Sequence, residues 1–181
     1  MEEEEIRKAI KRAELEHILK GECLSTIGER VTRYLELNFS QLTPNAHWAS
    51  ISAECILLYR DGHFFACIAL CQAVAEAIVR DLCKRNILTL SKNFEANVNR
   101  LCSNEKISAE CKGALETIWK GRNDYHHLNP EVPTEREKLQ AIARTKMIAL
   151  HAVESEIFAF ELVSGAIKPK HPKYWPEAQD G

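Results

Sequence analysis

The sequence ETIWKGRNDYHHLNPEVPTE, residues 116–135, holds the densest run of functional side chains in the chain. Its first residues end a helical pattern, and Pro130 and Pro133 mark the loop that follows. In between, positions 122 to 127 carry in succession a guanidinium, an amide, a carboxylate, a phenol and two imidazoles. Arginine binds phosphate with a permanent charge, and histidine transfers protons near neutral pH. The segment therefore suggests phosphodiester chemistry, although basic side chains at a carbonyl-rich helix end are a simpler interpretation.

The composition is that of one helical domain. The chain has 181 residues, of which 45% are hydrophobic and 28% are charged, with only seven glycines and six prolines. This length allows a substantial core, and few helix breakers beside much Ala, Leu, Glu and Lys favour helices. We therefore predict an all-α fold.

Several features predict a cytoplasmic protein. No apolar run reaches the ~20 residues of a membrane span, and the N-terminal sequence MEEEEIRK is acidic where a targeting peptide would be basic. The seven cysteines lack the regular spacing of a disulfide framework. Cys67 and Cys71 stand among apolar residues, which predicts small core side chains in a reducing compartment. The net charge of −2 argues against a broad nonspecific nucleic-acid surface but allows a local basic cleft.

The first part of the chain shows two helical patterns in succession. Apolar spacing predicts a helix over residues 2–20 that ends at Gly21, and a second helix after it. Together they would form an N-terminal extension, residues 1–40, packed on the core. Thr43-Pro44 then combines an N-cap residue with a first-turn proline and predicts the start of the next helix.

The most apolar pattern lies near the middle of the chain. Asp61-Gly62 marks a break, and residues 63–85 are apolar nearly all round, as is typical of the central helix of a bundle. The exception is a stripe formed by Gln72, Glu76 and Arg80. It is either a solvent-facing ridge with a Glu76–Arg80 surface pair or the polar wall of a cleft or partner interface.

The second half of the chain contains further cap signals. Ser91 and Ser108 each precede a helical pattern and can serve as N-caps. The sequence Thr134-Glu135-Arg136-Glu137 is a capping box that opens the longest helix, predicted to reach about Ala166. The basic, proline-rich residues 167–181 are expected to form a flexible tail.

One motif in the first helical pattern invites a metal interpretation. Glu14 and His17 match the Glu-x-x-His of di-metal carboxylate bundles, which need a second such motif. His151 and Glu154 stand in the reverse order. We therefore interpret Glu14 and His17 as solvated surface residues, and we expect neither a metal nor another cofactor.

The motif Arg122-Asn123-x-x-x-His127 resembles the Arg-x4-6-His signature of the HEPN superfamily, including the polar residue after the arginine. The order of helical patterns agrees over roughly residues 44–166, with a central Ala-rich helix carrying Glu76. The resemblance implies a HEPN-like helical domain over 44–166 with a four-helix core and extra N-terminal helices. HEPN domains usually form homodimers that bring two motifs together. Many are metal-independent endoribonucleases in toxin–antitoxin, phage-defence or RNA-processing systems.

The resemblance also implies a role for each residue of the motif. Arg122 would bind the scissile phosphate. His127 would act as general base on the ribose 2′-hydroxyl, or position and polarise that hydroxyl. Asn123 would orient the pair or hold a phosphate oxygen. Glu76 would support Arg122 or the imidazole. The expected substrate is RNA, because the chemistry requires the 2′-hydroxyl. An antitoxin or another defence-system protein would be a further partner, although Asn129 replaces the tyrosine that some such toxins use for control.

Helix geometry leaves the identity of the base open. On a continuous helix, Arg122 and His126 share a face, whereas His127 points roughly 140° away from Arg122. Either the helix breaks near Asp124 or a second copy completes the site across a two-fold axis. His126 is the rival base if neither holds.

Two other functions fit the same sequence. A HEPN module without catalysis would bind nucleotide, RNA or a protein partner, and the slight acidity of the chain suits it. Alternatively, the chain is a helical interaction protein in which the motif is coincidental and the final helix is the assembly surface.

Overall fold

A computed structural model describes residues 2–37, 48–127 and 129–174 of the chain. The described residues are predominantly helical, which confirms the all-α class, and the predicted helix start at Thr43-Pro44 lies outside them. The helices are α1 (Glu2–Leu37), α2 (Ala49–Asp61), α3 (Phe64–Arg85), α4 (Phe94–Ser103), α5 (Ala109–Trp119), α6 (Arg122–His126) and α7 (Arg136–Ile157). A hairpin of β1 (Phe160–Val163) and β2 (Ala166–Pro169) and a 3₁₀ helix (Pro172–Tyr174) follow.

Helix α3 is the centre of the fold and packs against α2, α4, α5, α6 and α7. Its start at Phe64, after His63, confirms the predicted central helix. Cys67 and Cys71 are fully buried, as predicted for core residues. A helix enclosed on most sides needs apolar residues in most directions, and this explains why its sequence lacks a clear amphipathic period.

Helix α1 is one continuous helix of 36 residues, so the predicted stop at Gly21 is wrong. An exposed glycine costs only about 1 kcal/mol relative to alanine in a helix, and the hydrogen-bonded turns on both sides outweigh that cost. The predicted packing of this extension on the core is limited to its last turns. Arg30 binds Asp61, Arg33 donates to the Arg60 carbonyl, and Leu37 is buried.

The C-terminal part of the chain also differs from the prediction. Helix α7 ends at Ile157 rather than near Ala166, because residues 160–169 pair as an antiparallel hairpin. Ser164 and Gly165 both have positive φ, 53° and 80°, as a two-residue hairpin turn requires. The predicted flexible tail begins inside β2, and its Tyr174 is buried with its hydroxyl donating to Glu156.

The cap predictions have mixed outcomes. Ser108 caps α5 as predicted, its hydroxyl oxygen accepting from the Cys111 amide at 2.9 Å. Helix α4 is capped by Asn93 instead of Ser91. The predicted capping box does not form. The N-cap of α7 is Glu135 instead of Thr134, and the Glu135 side chain makes no cap hydrogen bond.

A half-buried carboxyl group joins α7 to α2. The Ser52 hydroxyl donates to Glu154, and burial raises the pKa of Glu154 to about 7. Because the folded-state pKa is raised, the protonated carboxyl group of Glu154 stabilises the fold. This stabilisation is complete below pH 4.5, the ordinary pKa of the group, and is lost as the pH rises toward 7. We therefore expect Glu154→Gln, which keeps an acceptor for Ser52, to match wild type at pH 4.5 and exceed its stability at pH 8 by about 1–3 kcal/mol.

Urea unfolding at pH 4.5, 6 and 8 measures this difference. Glu161→Gln on the exposed face of β1 is the control and is expected to change stability little at any of these pH values. A constant difference between Glu154→Gln and wild type across the three pH values would contradict the assignment.

Candidate functional site

The candidate site begins where α5 breaks. Lys120 is the C-cap of α5, and Gly121 follows with a left-handed φ of 71° before α6 begins at Arg122. A side chain at position 121 would be strained in this conformation, so glycine permits the turn. Helix α5 therefore does not continue into Arg122. The break lies three residues before Asp124, and the motif forms a helical turn of its own.

A buried lysine holds the end of α5 in place. The Lys146 ammonium, on α7, donates to the carbonyl oxygens of Ile118 at 2.6 Å and Lys120 at 2.7 Å. The residue is only 3% exposed, and burial lowers the pKa of Lys146 to about 8, so the charged form predominates at neutral pH. A cation at the carbonyl end of a helix also interacts favourably with the helix dipole.

Lys146 was missed by the sequence analysis, although the sequence contained a signal for it. It stands three residues after Ala143 and four before Leu150, on the inward face of α7. Gln72 supports the same turn, its side-chain amide donating to the Ile118 carbonyl at 3.3 Å. The predicted polar stripe is therefore divided. Gln72 is fully buried, whereas Glu76 and Arg80 form the predicted ion pair near the surface, with 2.7 Å between nitrogen and oxygen.

Arg122 lies on an aromatic support. Its guanidinium carbon is 5.3 Å from the centre of the Trp119 ring, and Trp119 stacks on Phe94 with 4.0 Å between ring centres. Its Nη1 atom donates to the Asn123 side-chain oxygen at 3.3 Å. The Nε atom is buried without a hydrogen-bond partner among the described residues. The stack fixes the arginine beside the asparagine of the motif.

The two histidines have different environments. Arg122 and His126 are four residues apart in α6 and share a face. Burial, followed by the positive charges of Arg122 and His127, lowers the pKa of His126, while the Glu76 carboxylate opposes that shift. Both histidines are exposed, and His127 is the C-cap of α6, where its amide donates to the Asn123 carbonyl. The structure therefore brings Arg122, Asn123 and His126 together, with Glu76 close by, and places His127 at the edge.

The neighbouring residues of the motif have structural roles. Tyr125 is buried and packs on Phe65 with 5.5 Å between ring centres. Asp124 accepts from the Asn129 side chain at 3.2 Å. These contacts attach the single turn of α6 to α3 and to the loop that follows it.

A cleft of about 650 Å³ opens beside the motif. Its lining includes Arg122 and Asn123 together with Trp119 and Lys120, and residues of α4 form the other wall. Three carboxylates border it against two cations, so the cleft is not strongly basic. The charged lining residues are Glu95, Glu116, Asp124, Lys120 and Arg122.

No protein family, curated protein sequence or solved structure matches this chain. Glu14 and His17 are both exposed on α1, and among the described residues no three His, Cys, Asp or Glu side chains converge on a metal site. No helix in the described part of the chain has the length and apolar character to cross a membrane.

Removal of the Lys146 ammonium tests its role in shaping the site. Lys146→Met keeps the length of the side chain but leaves buried carbonyl oxygens without their donor. We expect a loss of about 2–4 kcal/mol in the free energy of unfolding, measured by urea titration. The fluorescence of Trp119 in the folded state should also change, because the turn beside it loosens.

The matched control is Lys138→Met on the exposed part of α7, where the ammonium only pairs with Glu135 at 2.8 Å. That change is expected to cost less than about 1 kcal/mol. Equal losses for the two variants would show that the buried contacts of Lys146 do not hold the break in place.

Proposed function

We propose that this protein is a metal-independent endoribonuclease of the HEPN type, with a HEPN-like helical bundle around α3. The observation that carries the proposal is the placement of Arg122, Asn123 and His126 on one helical turn, with Arg122 and Asn123 lining the adjacent cleft. A fixed cation next to a neutral imidazole is the pair that cleavage of a phosphodiester by its own 2′-hydroxyl needs.

The proposed reaction uses groups of the RNA and the protein alone. A histidine takes the proton from the ribose 2′-hydroxyl, and the 2′-oxygen attacks the adjacent phosphorus. The bond from phosphorus to the 5′-oxygen breaks, which leaves a 2′,3′-cyclic phosphate and a 5′-hydroxyl end. The guanidinium of Arg122 stabilises the charge that develops on the phosphate oxygens, and Asn123 holds that guanidinium in place.

The geometry within one chain favours His126 as the base. Its face of α6 is that of Arg122, and its lowered pKa keeps the imidazole neutral at physiological pH. His127 would reach the same phosphate only if a second copy brought its own motif across a two-fold axis. The proposal therefore has two forms. If His127 is the base, the site forms only in a homodimer, whereas if His126 is the base, one chain holds the complete site. Mutagenesis of each histidine distinguishes the two forms.

A second function is favoured by the charge of the cleft. Carboxylates outnumber cations around it, which weakens binding of a long polyanion. A HEPN module that binds a nucleotide or a short RNA end without cleaving it, or that binds an antitoxin or other protein partner, would fit this balance. The distinction between the two functions is turnover.

The first test incubates wild type, Arg122→Ala, His126→Ala and His127→Ala with total RNA in EDTA and identifies the fragment ends. Wild type is expected to leave 2′,3′-cyclic phosphates. Arg122→Ala should lose about 10²–10³-fold in rate, because the developing charge is no longer neutralised. Replacement of the histidine that acts as general base should lower the cleavage rate about 10²–10⁴-fold. The histidine variant with this lower rate therefore identifies the base.

Arg12→Ala and His171→Ala remove the same chemical groups far from the motif in sequence and are expected to cleave like wild type. Cleavage that stops in EDTA, or that persists in all three motif variants, contradicts the mechanism. If no protein cleaves, binding of a fluorescent oligoribonucleotide by wild type but not by Arg122→Ala would support the binding module.

The pH profile of cleavage gives an independent test of His126. Because its pKa is lowered, the neutral base forms at a lower pH than for an ordinary histidine. Cleavage is expected to rise with pH and to reach its plateau at a lower pH than a base with the ordinary histidine pKa would give. Glu76→Gln removes the carboxylate that opposes the shift, so the inflection should move to still lower pH. An inflection that moves upward, or that stays unchanged, would assign the base to another residue.

A further inference from the structure

Helix α1 carries an apolar stripe that the other described residues of the chain leave open. Its members recur at alternating spacings of three and four residues over about 42 Å of helix. They are exposed to solvent, with Ile6 at 57% and Leu24 at 72%. We call this set the α1 stripe, and it consists of Ile6, Ile10, Ala13, His17, Lys20, Leu24, Ile27, Val31 and Tyr34.

The body of the protein is attached to a different face of α1. Arg33 and Leu37 are buried against the body, and helical geometry places them roughly opposite Leu24 and Val31. Arg30 and Arg33 fix this attachment through Asp61, at 2.7 Å, and the Arg60 carbonyl, at 2.8 Å. The helix therefore projects from the body as an arm, and the attachment itself turns the α1 stripe away from the core.

We propose that the α1 stripe pairs with the α1 stripe of a second copy of this chain, with the two helices antiparallel. Alternating spacing of three and four is the pattern of a coiled-coil seam, whose partner is another helix with the same pattern. A seam of this length offers contact of the order of the ~800 Å² per partner found in stable interfaces. The second copy is the partner that supplies a matching seam of equal length.

The polar members of the stripe determine the orientation. A parallel pair would place Lys20 against Lys20 of the second copy in the middle of the seam, where the two charges repel. In an antiparallel pair, Lys20 lies beside Leu24 of the second copy, and its aliphatic stem can cover that leucine while the ammonium reaches water. The same register brings Glu16 beside Arg30 of the second copy, and two-fold symmetry makes this contact twice.

A groove on α1 fits the proposed contact. It has a volume of about 390 Å³ and is lined by Ile27, Val31 and Tyr34 with Arg30 and Arg60 at its rim. Both guanidiniums bind the single carboxylate of Asp61, which leaves a net positive charge at the rim. The N-terminal half of the second α1 presents apolar Ile10 and acidic Glu16 at this level, and so matches both the floor and the rim.

This register also places Cys23 close to Cys23 of the second copy, next to the two-fold axis. Cys23 is exposed, while every other cysteine is buried or half-buried. Mild oxidation of the assembled protein should therefore link two chains, each thiol losing one proton and one electron to the added oxidant. The inference does not rest on ribonuclease activity, because α1 carries none of the motif residues.

Light scattering coupled to size-exclusion chromatography tests the assembly with the full chain, whose monomer mass is 20.6 kDa. Leu24→Glu combined with Val31→Glu is expected to halve the mass of the wild-type assembly while circular dichroism stays unchanged. Leu15→Glu is the matched control, since Leu15 is 50% exposed on the opposite face of α1, and it should keep the wild-type mass. A monomeric wild type, or an unchanged mass for the double variant, overturns the proposal.

Oxidation tests the orientation separately. Wild type should give a linked dimer on denaturing gels, and Cys23→Ser should give none. An assembled wild type that forms no Cys23 link overturns the antiparallel register. If a stripe variant forms an assembly of half the wild-type mass but still cleaves RNA, the α1 stripe is an interface separate from the cleavage site. If wild type assembles but does not cleave RNA, only the ribonuclease proposal is contradicted.

Discussion

The three-dimensional arrangement around the motif depends on one buried ammonium group. Every α-helix ends in carbonyl groups that lack partners within the helix, and at the end of α5 those carbonyls point into the protein. Lys146 supplies the donors, and Gln72 adds another from the central helix. A charge is costly to bury, so its hydrogen bonds must all be in place for the fold to tolerate it. The end of α5 consequently has one well-defined position, and the turn at Gly121 starts from there.

That fixed end determines what the following residues can do. Because α6 starts afresh after Gly121, its single turn sets Arg122 and His126 on one face. The stack of Phe94, Trp119 and Arg122 then attaches the guanidinium to α4, while Tyr125 anchors the other side of the turn on Phe65. The motif is thus held by aromatic contacts from three helices, α3, α4 and α5, while its asparagine, aspartate and two histidines remain exposed.

Predictions from the sequence were correct for features that depend on neighbouring residues and wrong for features that depend on contacts between residues distant in the chain. The central helix, the Ser108 cap and the buried Cys67 and Cys71 follow from local pattern and were correct. A helix break near Asp124 was one of two alternatives, but its place at Gly121 was not predicted, because Lys146, which binds the end of α5, lies 25 residues further along the chain. The helix end at Ile157 was missed because strand pairing between residues 160 and 169 competes with helix in a segment whose apolar residues suit either structure.

Glu156 connects the C-terminal 3₁₀ helix to the start of α5, the helix that leads into the motif. Its carboxylate accepts from Ser108 at the start of α5 and from Tyr174 at the end of the described chain. Helix α5 spans only about 16 Å, with this carboxylate at one end and the Gly121 turn at the other. A binding partner, a fusion or a proteolytic cut that displaces Tyr174 would remove one of the contacts that position Glu156 at the start of α5. The end of α5 beside Arg122 would then depend more heavily on Lys146.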